Sequence, residues 1–468
     1  MRWVNKERLK FCILVILIFS SLFQLGILWN YQDYGFPFSF FEKKIFAVED
    51  DDIKDSNFEP YRIILAERYA GSRWVIGNPE DSDYAKLWSY TKKVIKEAVV
   101  QSQLNAPIDS SKWQDMVAKL DDAIIFDFKV SLKRDIFMWH LGIEYVPDDA
   151  PKAIKKVMLV PWENSGILYI TDDVKIYTYG INVNETQIKI FKEMFKRYSN
   201  DSNLLRYTFM KELDPYNMFR LAFNKDVLLV KQDPAYGSMN TIRTYIPGFG
   251  EKDYGEDDIA RVLLGVDMDA YDRSKSDDNR FIEFKTQNKI YKIGNDGILD
   301  YRNLTSYYQT DKGDVKDALV KAYEFVARLK KLNKDENVSL YLSGLNDKEK
   351  DYYEFFFDYK IEGIPVMFDF SYRGKQFDHA FTIRANSIDV TSCTALFRRF
   401  EIERSGKEYI FSTNEFMDKL FSQNKELKNN KNIEVKDLFI SYRGSGVLEP
   451  VWVFETNDKN YIVPIQLK

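Results

Sequence analysis

One stretch near the start of the chain constrains everything after it. Phe11 to Trp29 reads FCILVILIFSSLFQLGILW, 19 residues without a formal charge. As a helix it would span about 28 Å, close to the hydrocarbon thickness of a bilayer. Arg2, Lys6, Arg8 and Lys10 precede it against a single Glu7; Asp33, Glu42 and the run Glu49-Asp50-Asp51-Asp52 follow it. The positive-inside rule therefore keeps residues 1–10 in the cytoplasm and sends the rest across the membrane. The competing reading is a cleaved signal peptide, but Trp29, Asn30, Tyr31 and Gln32 offer no small-x-small cleavage site. No later stretch approaches the length of apolar sequence a second span would need. The expectation is a single-pass protein of the cell membrane, with the bulk of the chain extracytoplasmic.

The anchor carries a polar signal of its own. Ser20 and Gln24 are four apart and Ser21 and Gln24 three apart, so the three share a helix face. Leu22 and Gly26 occupy a neighbouring face, where the small Gly permits close approach of another helix. Ser20, Ser21, Gln24 and Gly26 are thus candidate partner-binding residues, through interhelical hydrogen bonds of about 0.6–2 kcal/mol. The alternative is that Gln24 reaches to the outer interface and contacts no protein.

Composition limits what the exported part can do. Of 468 residues, 45% are hydrophobic and 30% charged, which excludes a wholly disordered chain. The formal net charge is −5. Removing residues 1–29, with four basic and one acidic side chain, leaves 63 basic against 71 acidic, a net of −8. An acidic balance argues against nucleic-acid binding, which needs a basic stripe. The exported part holds one cysteine, Cys393, so no intramolecular disulfide supports it, and a bacterial envelope suits that better than an animal cell surface. The chain's 2 His and 2 Cys leave little for a His/Cys zinc site or a His-based triad. Aromatic residues, at 16%, favour strands.

Patterning divides the chain as follows. Residues 30–57, with Gly35, Pro37 and the acidic run, read as a spacer. An N-terminal α+β domain is expected over 58–150, with helical spacing from Asp83 to Leu104. A central β-rich domain is expected over 151–279 and a C-terminal β-rich domain over 280–468. The latter contains a hairpin around Asn295-Asp296-Gly297 and a long helix from Val315 to Leu332, with Leu319, Ala322, Tyr323, Val326 and Leu329 on one face. Strands come in blocks with occasional helices rather than in βα alternation. The fold class is therefore α+β with mostly antiparallel sheets, the second and third domains of similar layout.

No motif points to catalysis. His140 reads as a packed helix residue. Asp378-His379 resembles a dyad, but adjacent strand residues face opposite ways. Cys393 reads as a small buried side chain. Asp267, Asp269, Asp272, Asp277 and Asp278 fail the calcium-loop phasing, since no Gly takes the turn position and no Glu closes the loop. Gly248-Phe249-Gly250 and Gly444-Ser445-Gly446 lack the strand–Gly–helix context of a phosphate loop. A carboxylate pair for glycan hydrolysis needs no local motif, and nothing singles one out. No catalytic, cofactor-binding or metal-binding residue is assigned.

Several segments together resemble the YycH family of envelope regulators from Gram-positive bacteria. They are the basic N-terminus with an anchor ending Leu28-Trp29-Asn30-Tyr31-Gln32, Ile124-Ile125-Phe126 before a helix, and Asn295-Asp296-Gly297-Ile298-Leu299-Asp300-Tyr301. Two more are Gly363-Ile364-Pro365-Val366 after the aromatic strand Tyr352–Tyr359, and Leu448-Glu449-Pro450-Val451-Trp452. The Asp267–Asp278 loop and the aromatic run Phe36–Phe41 depart from the family pattern. The resemblance implies a non-enzymatic regulator without cofactor. It would act with a YycI-like co-regulator on a sensor histidine kinase controlling cell-wall metabolism, with membrane helices contributing to the contact. An exported binding module for wall fragments or peptides is the alternative, and a tethered glycan hydrolase a further one.

Overall fold

The computed structural model describes residues 59–468 apart from residues 68–70, 102–105, 120–121, 144–145, 163–164, 173, 203, 214–221, 225, 250–253, 266–270, 278–279, 306–310, 333–337, 369–370, 373–374 and 430–432. The expected anchor at 11–29, with Ser20, Ser21, Gln24 and Gly26, and the spacer at 30–57 lie outside the described residues. Among the described residues no helix is long and apolar enough to cross a membrane.

The first part of the chain runs β1 (Arg62–Glu67), β2 (Ser72–Ile76), α1 (Ser82–Gln101), β3 (Ile108–Asp109), α2 (Trp113–Lys119), β4 (Ala123–Lys133) and α3 (Arg134–His140). It continues through β5 (Ala153–Trp162), β6 (Ser165–Thr171), β7 (Lys175–Ile181), α4 (Glu185–Asn200), β8 (Tyr207–Phe209), α5 (Met210–Leu213), β9 (Ala222–Phe223), β10 (Leu228–Val230) and β11 (Ala235–Tyr245). Next come α6 (Glu256–Leu264), β12 (Asp272–Lys275), β13 (Phe281–Lys285), β14 (Lys289–Gly294), β15 (Ile298–Asn303), α7 (Val315–Lys330), β16 (Val338–Asn346), β17 (Tyr353–Ile361) and β18 (Ile364–Phe368). The last part holds β19 (Ser371–Tyr372), β20 (Lys375–Gln376), β21 (Phe381–Ala385), β22 (Val390–Leu396), β23 (Arg399–Phe411), α8 (Thr413–Gln423), α9 (Lys425–Asn429), β24 (Glu434–Gly444), β25 (Val447–Thr456), β26 (Asn460–Pro464) and β27 (Gln466–Leu467).

Among the described residues, these strands build a 9-stranded sheet in the order β10-β8-β2-β1-β4-β5-β6-β7-β3. A 16-stranded sheet follows the path β12-β13-β14-β15-β22-β21-β17-β18-β24-β25-β11-β23-β27, with β16, β26 and β9 attached at its sides. Pairing is antiparallel except where β24 meets β18 and β9. The α+β, mostly antiparallel class expected from the sequence is what the chain forms. The expected boundary at 150/151 falls between β4 and β5, which are paired neighbours from Ile124↔Leu159 to Lys133↔Ala153. Strand β11, from the segment read as central, pairs with β23 and β25 in the larger sheet.

Helices cover the sheets where their apolar stripes require it. On the smaller sheet, the Trp88 ring of α1 lies tilted 5.6 Å from Phe126 of β4, and Phe191 of α4 meets Tyr90 of α1 at 5.3 Å. The opposite face holds a cluster of Ile64, Ile125, Met158, Val160 and Phe209 closed by Trp113 and Val117 of α2. Helix α4 starts on a capping box, with Asn184 Oδ1 accepting from Gln187 N and Gln187 Oε1 from Asn184 N. On the larger sheet, α7 buries Leu319, Ala322, Tyr323, Val326 and Leu329, the five residues its spacing predicted. Its Tyr323 ring lies 5.2 Å from Phe357 on β17.

Candidate functional site

The two sheets meet along a buried polar seam that starts at Tyr61 and Arg62. Arg62 stands opposite Asp127 in the β1–β4 register, and its Nε donates to Asp127 Oδ2 at 2.9 Å. The same guanidinium reaches across to β24, where its Nη2 donates to Asp437 Oδ1 at 3.0 Å. All three side chains are largely buried. Burial alone would favour the neutral forms, but the paired charges win. Burial raises the Asp127 carboxyl, yet Arg62 with Lys156 and Lys155 outweighs it and holds the group at about 2. Burial likewise works against the Arg62 charge, and Asp437 and Asp127 reverse that effect and raise it above its ordinary value.

Strand β4 loses its register with β5 between Asp127 and Leu132, and Lys129, inside that irregularity, pairs with Glu455 on β25. Lys129 Nζ also lies 4.8 Å from the Phe439 ring centre. Lys156 binds Asp226 at 2.5 Å. From β17, Lys360 donates to the Tyr61 carbonyl oxygen, and its Nζ stands 4.2 Å from the centre of the Tyr61 ring. Lys360 is only 2% exposed. Its ammonium is pulled down to about 7, first by burial, with Arg62 and Lys129 adding to the fall and Glu59 opposing it.

Backbone fit completes the seam. Glu362 (φ 51) and Gly363 (φ 82) form the two-residue turn between β17 and β18, both left-handed as a type I′ hairpin demands. The turn packs so closely on the end of β2 that a Cβ on Gly363 would sit 2.3 Å from Asn78 N, and one on Gly77 would sit 2.6 Å from the Gly363 oxygen. Asn240 holds the turn through Glu362 at 2.8 Å.

A cleft opens on each side of Tyr61. One, of about 310 Å³, is lined by Glu59, Phe128, Tyr323, Lys330, Tyr341 and Lys360 among others. The other, of about 290 Å³, is walled by Trp74, Tyr198, Tyr207, Phe411 and Phe439. Aromatic walls with a few convergent polar groups suit binding of small molecules or chain segments.

Ser343, His379 and Asp358 also gather, but not as a nucleophilic triad. Asp358 Oδ2 lies 2.8 Å and Ser343 Oγ 3.3 Å from the same imidazole nitrogen, Nδ1 of His379. A triad places the hydroxyl and the carboxylate on opposite ring nitrogens. Burial would lower the His379 pKa, but the Asp358 hydrogen bond and charge raise it above its ordinary value. The partner is therefore Asp358 on β17, not the adjacent Asp378, and His379 precedes β21.

No protein-family model matches the chain, and no curated protein matches it in sequence. Solved structures do match. The crystal structure of YycH from Bacillus subtilis superposes with a TM-score of 0.57 at 13% identity, covering 87% of this chain and 95% of that one. The chain has the YycH fold. An uncharacterized protein from Eubacterium rectale aligns with a TM-score of 0.34 at 15% identity, over 53% of this chain and 87% of that one.

Within this YycH fold the residues singled out by sequence fall in separate places. His140 is buried at the end of α3 and stacks on Trp88 at 6.0 Å. Cys393 is buried on β22 opposite Ile383 and Tyr301, and burial pushes its thiol up. Asp272 is exposed on β12, while Asp267, Asp269 and Asp278 lie outside the described residues. Among the described residues no three His, Cys, Asp or Glu side chains gather as a metal site. The seam itself escaped sequence reading.

Proposed function

We propose that the chain is a non-enzymatic, membrane-anchored regulator of a sensor histidine kinase that controls cell-wall metabolism. In this reading it acts with a YycI-like co-regulator. The observation that carries the reading is the YycH fold running through both sheets, 87% of this chain against 95% of its neighbour. The charge-free run Phe11–Trp29 behind a basic N-terminus supports the anchored topology. Ser20, Ser21 and Gln24 on one helix face, with Gly26 on the neighbouring face, supply the contact within the membrane, and the exported sheets tune that contact. Physically, the regulator binds two kinase states unequally, and a difference of about 1–3 kcal/mol shifts their ratio 5–150-fold.

The test reconstitutes the full-length chain with the envelope-sensing kinase of its organism and follows autophosphorylation, with and without the co-regulator. A rate change that disappears when residues 11–29 become poly-Leu, and weakens in Gln24→Leu, supports contact through the anchor. A change that survives both moves the contact to the exported part. No change under either condition, with insertion verified, removes the reading. The aromatic walls of the second cleft favour one further reading, an exported module that binds wall fragments or peptides. It predicts thermal stabilisation by such fragments without turnover.

A further inference from the structure

The cleft of about 310 Å³ beside Tyr61 holds more chemistry than the seam uses. Three lysines line it: Lys129, already paired with Glu455, Lys360, almost fully buried, and Lys330, half-buried at the last position of α7. Burial weakens the charged form of Lys360 and Lys330. Across the seam Arg62 and Lys129 already hold carboxylates, Asp127 with Asp437 and Glu455 respectively. The carboxylate acting on both Lys330 and Lys360 is Glu59, on the same lining. The remaining walls carry Glu80 and Ser339 but are otherwise apolar, with Phe128, Leu340 and Leu342 beside the rings of Tyr323 and Tyr341. An ammonium group in such surroundings gains charge-assisted hydrogen bonds from any carboxylate brought to it, and the walls reward an apolar body attached to that carboxylate. The volume suits a small ligand.

We propose that this cleft binds a small organic carboxylate with an aromatic or aliphatic body, held by Lys330 and Lys360 in competition with Glu59. The carboxylate of the ligand takes over the role that the Glu59 charge plays toward the two ammonium groups, while its body packs between Tyr323, Tyr341 and Phe128. A bare inorganic anion lacks the body, and a neutral amide lacks the charge. Glu59 lies two residues past the expected spacer, so its displacement acts where that spacer would join the sheets. That the displacement informs a kinase rests on the function proposed above; the binding does not.

The experiment titrates the full chain in lipid nanodiscs with phenylacetate and hexanoate, their amides, and inorganic phosphate, by calorimetry and intrinsic fluorescence. At least one carboxylate should saturate with a Kd of about 1 mM or tighter. The amides and phosphate should bind about tenfold more weakly, as expected from loss of one charge-assisted contact. Glu59→Gln should tighten carboxylate binding by about fivefold and Lys330→Met should weaken it by about tenfold. Lys360→Met removes a brace of the seam, so the other two variants carry the decision. Absence of saturation by both carboxylates in the wild type and in Glu59→Gln overturns the site. Equal affinity for acid and amide, or affinity unchanged in Lys330→Met, does the same. No kinase is present, so failure here leaves the regulator reading standing, and failure of that reading leaves this site standing.

Discussion

At the residue scale, the Arg62–Asp127–Asp437 group shows how a buried charge becomes obligatory. A buried pair contributes little over an apolar replacement, but removing one partner strands the other in low dielectric. Asp127→Asn leaves Arg62 with Asp437 alone and should cost about 3–5 kcal/mol in urea unfolding at neutral pH. The pH dependence follows from sign. Asp127 has a folded pKa of about 2, below its ordinary 3.8. Its contribution is therefore complete above about 4 and is lost as pH falls through 4 toward 2. Unfolding free energies measured at pH 5 and pH 2.5 should converge between wild type and Asp127→Asn at the lower pH; a constant gap would mean that Asp127 acts by packing rather than charge. Gly363 makes a second residue-scale case. Its φ of 82 and the Asn78 nitrogen 2.3 Å from a Cβ act together. Gly363→Ala should cost about 3 kcal/mol, whereas Gly406→Ala, with φ 55 and open space around it, should cost only about 1 kcal/mol. Equal losses in thermal denaturation would remove the close contact from the account.

At the element scale, helices stand on local signals that a sequence displays. Asn184 closes the capping box of α4, and Asp314 Oδ1 accepts from Lys316 N at the start of α7 at 2.7 Å. Asn184→Ala and Asp314→Ala should each lower stability by about 1 kcal/mol, read as shifts in the urea midpoint. Such elements were legible for the same reason that they are stable: period 3.6 places Leu319, Ala322, Tyr323, Val326 and Leu329 on one face whatever lies beyond it. Strand β23 was not legible. In RFEIERSGKEYIF the charged residues are frequent and Gly406 interrupts the run with φ 55, so the alternation is visible only once β11 lies alongside. Lys360 shows the deeper limit. On β17 the residues Tyr353, Phe355, Phe357 and Tyr359 face the core, so period 2 sends Lys360 outward with Asp358. It does point outward, but Tyr61, just ahead of β1 in the other sheet, covers it. No local pattern announces a partner 299 residues away, nor Asp437, 375 residues from Arg62. The Asp358–His379 contact was missed in the same way, its partner lying across the sheet and not in the next position.

At the scale of the whole molecule, the seam decides whether two sheets behave as one body. Each sheet has its own covering helices and apolar core, so either could persist for a while if the other opened. What joins them includes buried charges with few alternatives: Arg62 serves a carboxylate on each sheet, and Lys129 of β4 pairs across to Glu455 of β25. Removing the cation should therefore weaken the junction more than either sheet. The wild-type chain should show one calorimetric unfolding transition for the two sheets. Arg62→Met leaves Asp127 and Asp437 buried without their shared cation, and should split that transition in two or broaden it. Adding Asp127→Leu and Asp437→Leu to Arg62→Met removes the stranded charges and should restore a single transition, since apolar replacement of a whole buried ion group is often neutral or stabilising. A split that persists in the triple variant would assign the coupling to the fit of Gly77 against Gly363 instead. A single sharp transition in Arg62→Met would show that the sheets are joined independently of charge. The result bears on the proposed regulation, because β1 begins at Arg62, shortly after the expected spacer at 30–57. If the sheets unfold and move as one body, a displacement of the chain ahead of β1 reaches both at once; if they part at Arg62, it reaches only the sheet to which β1 belongs.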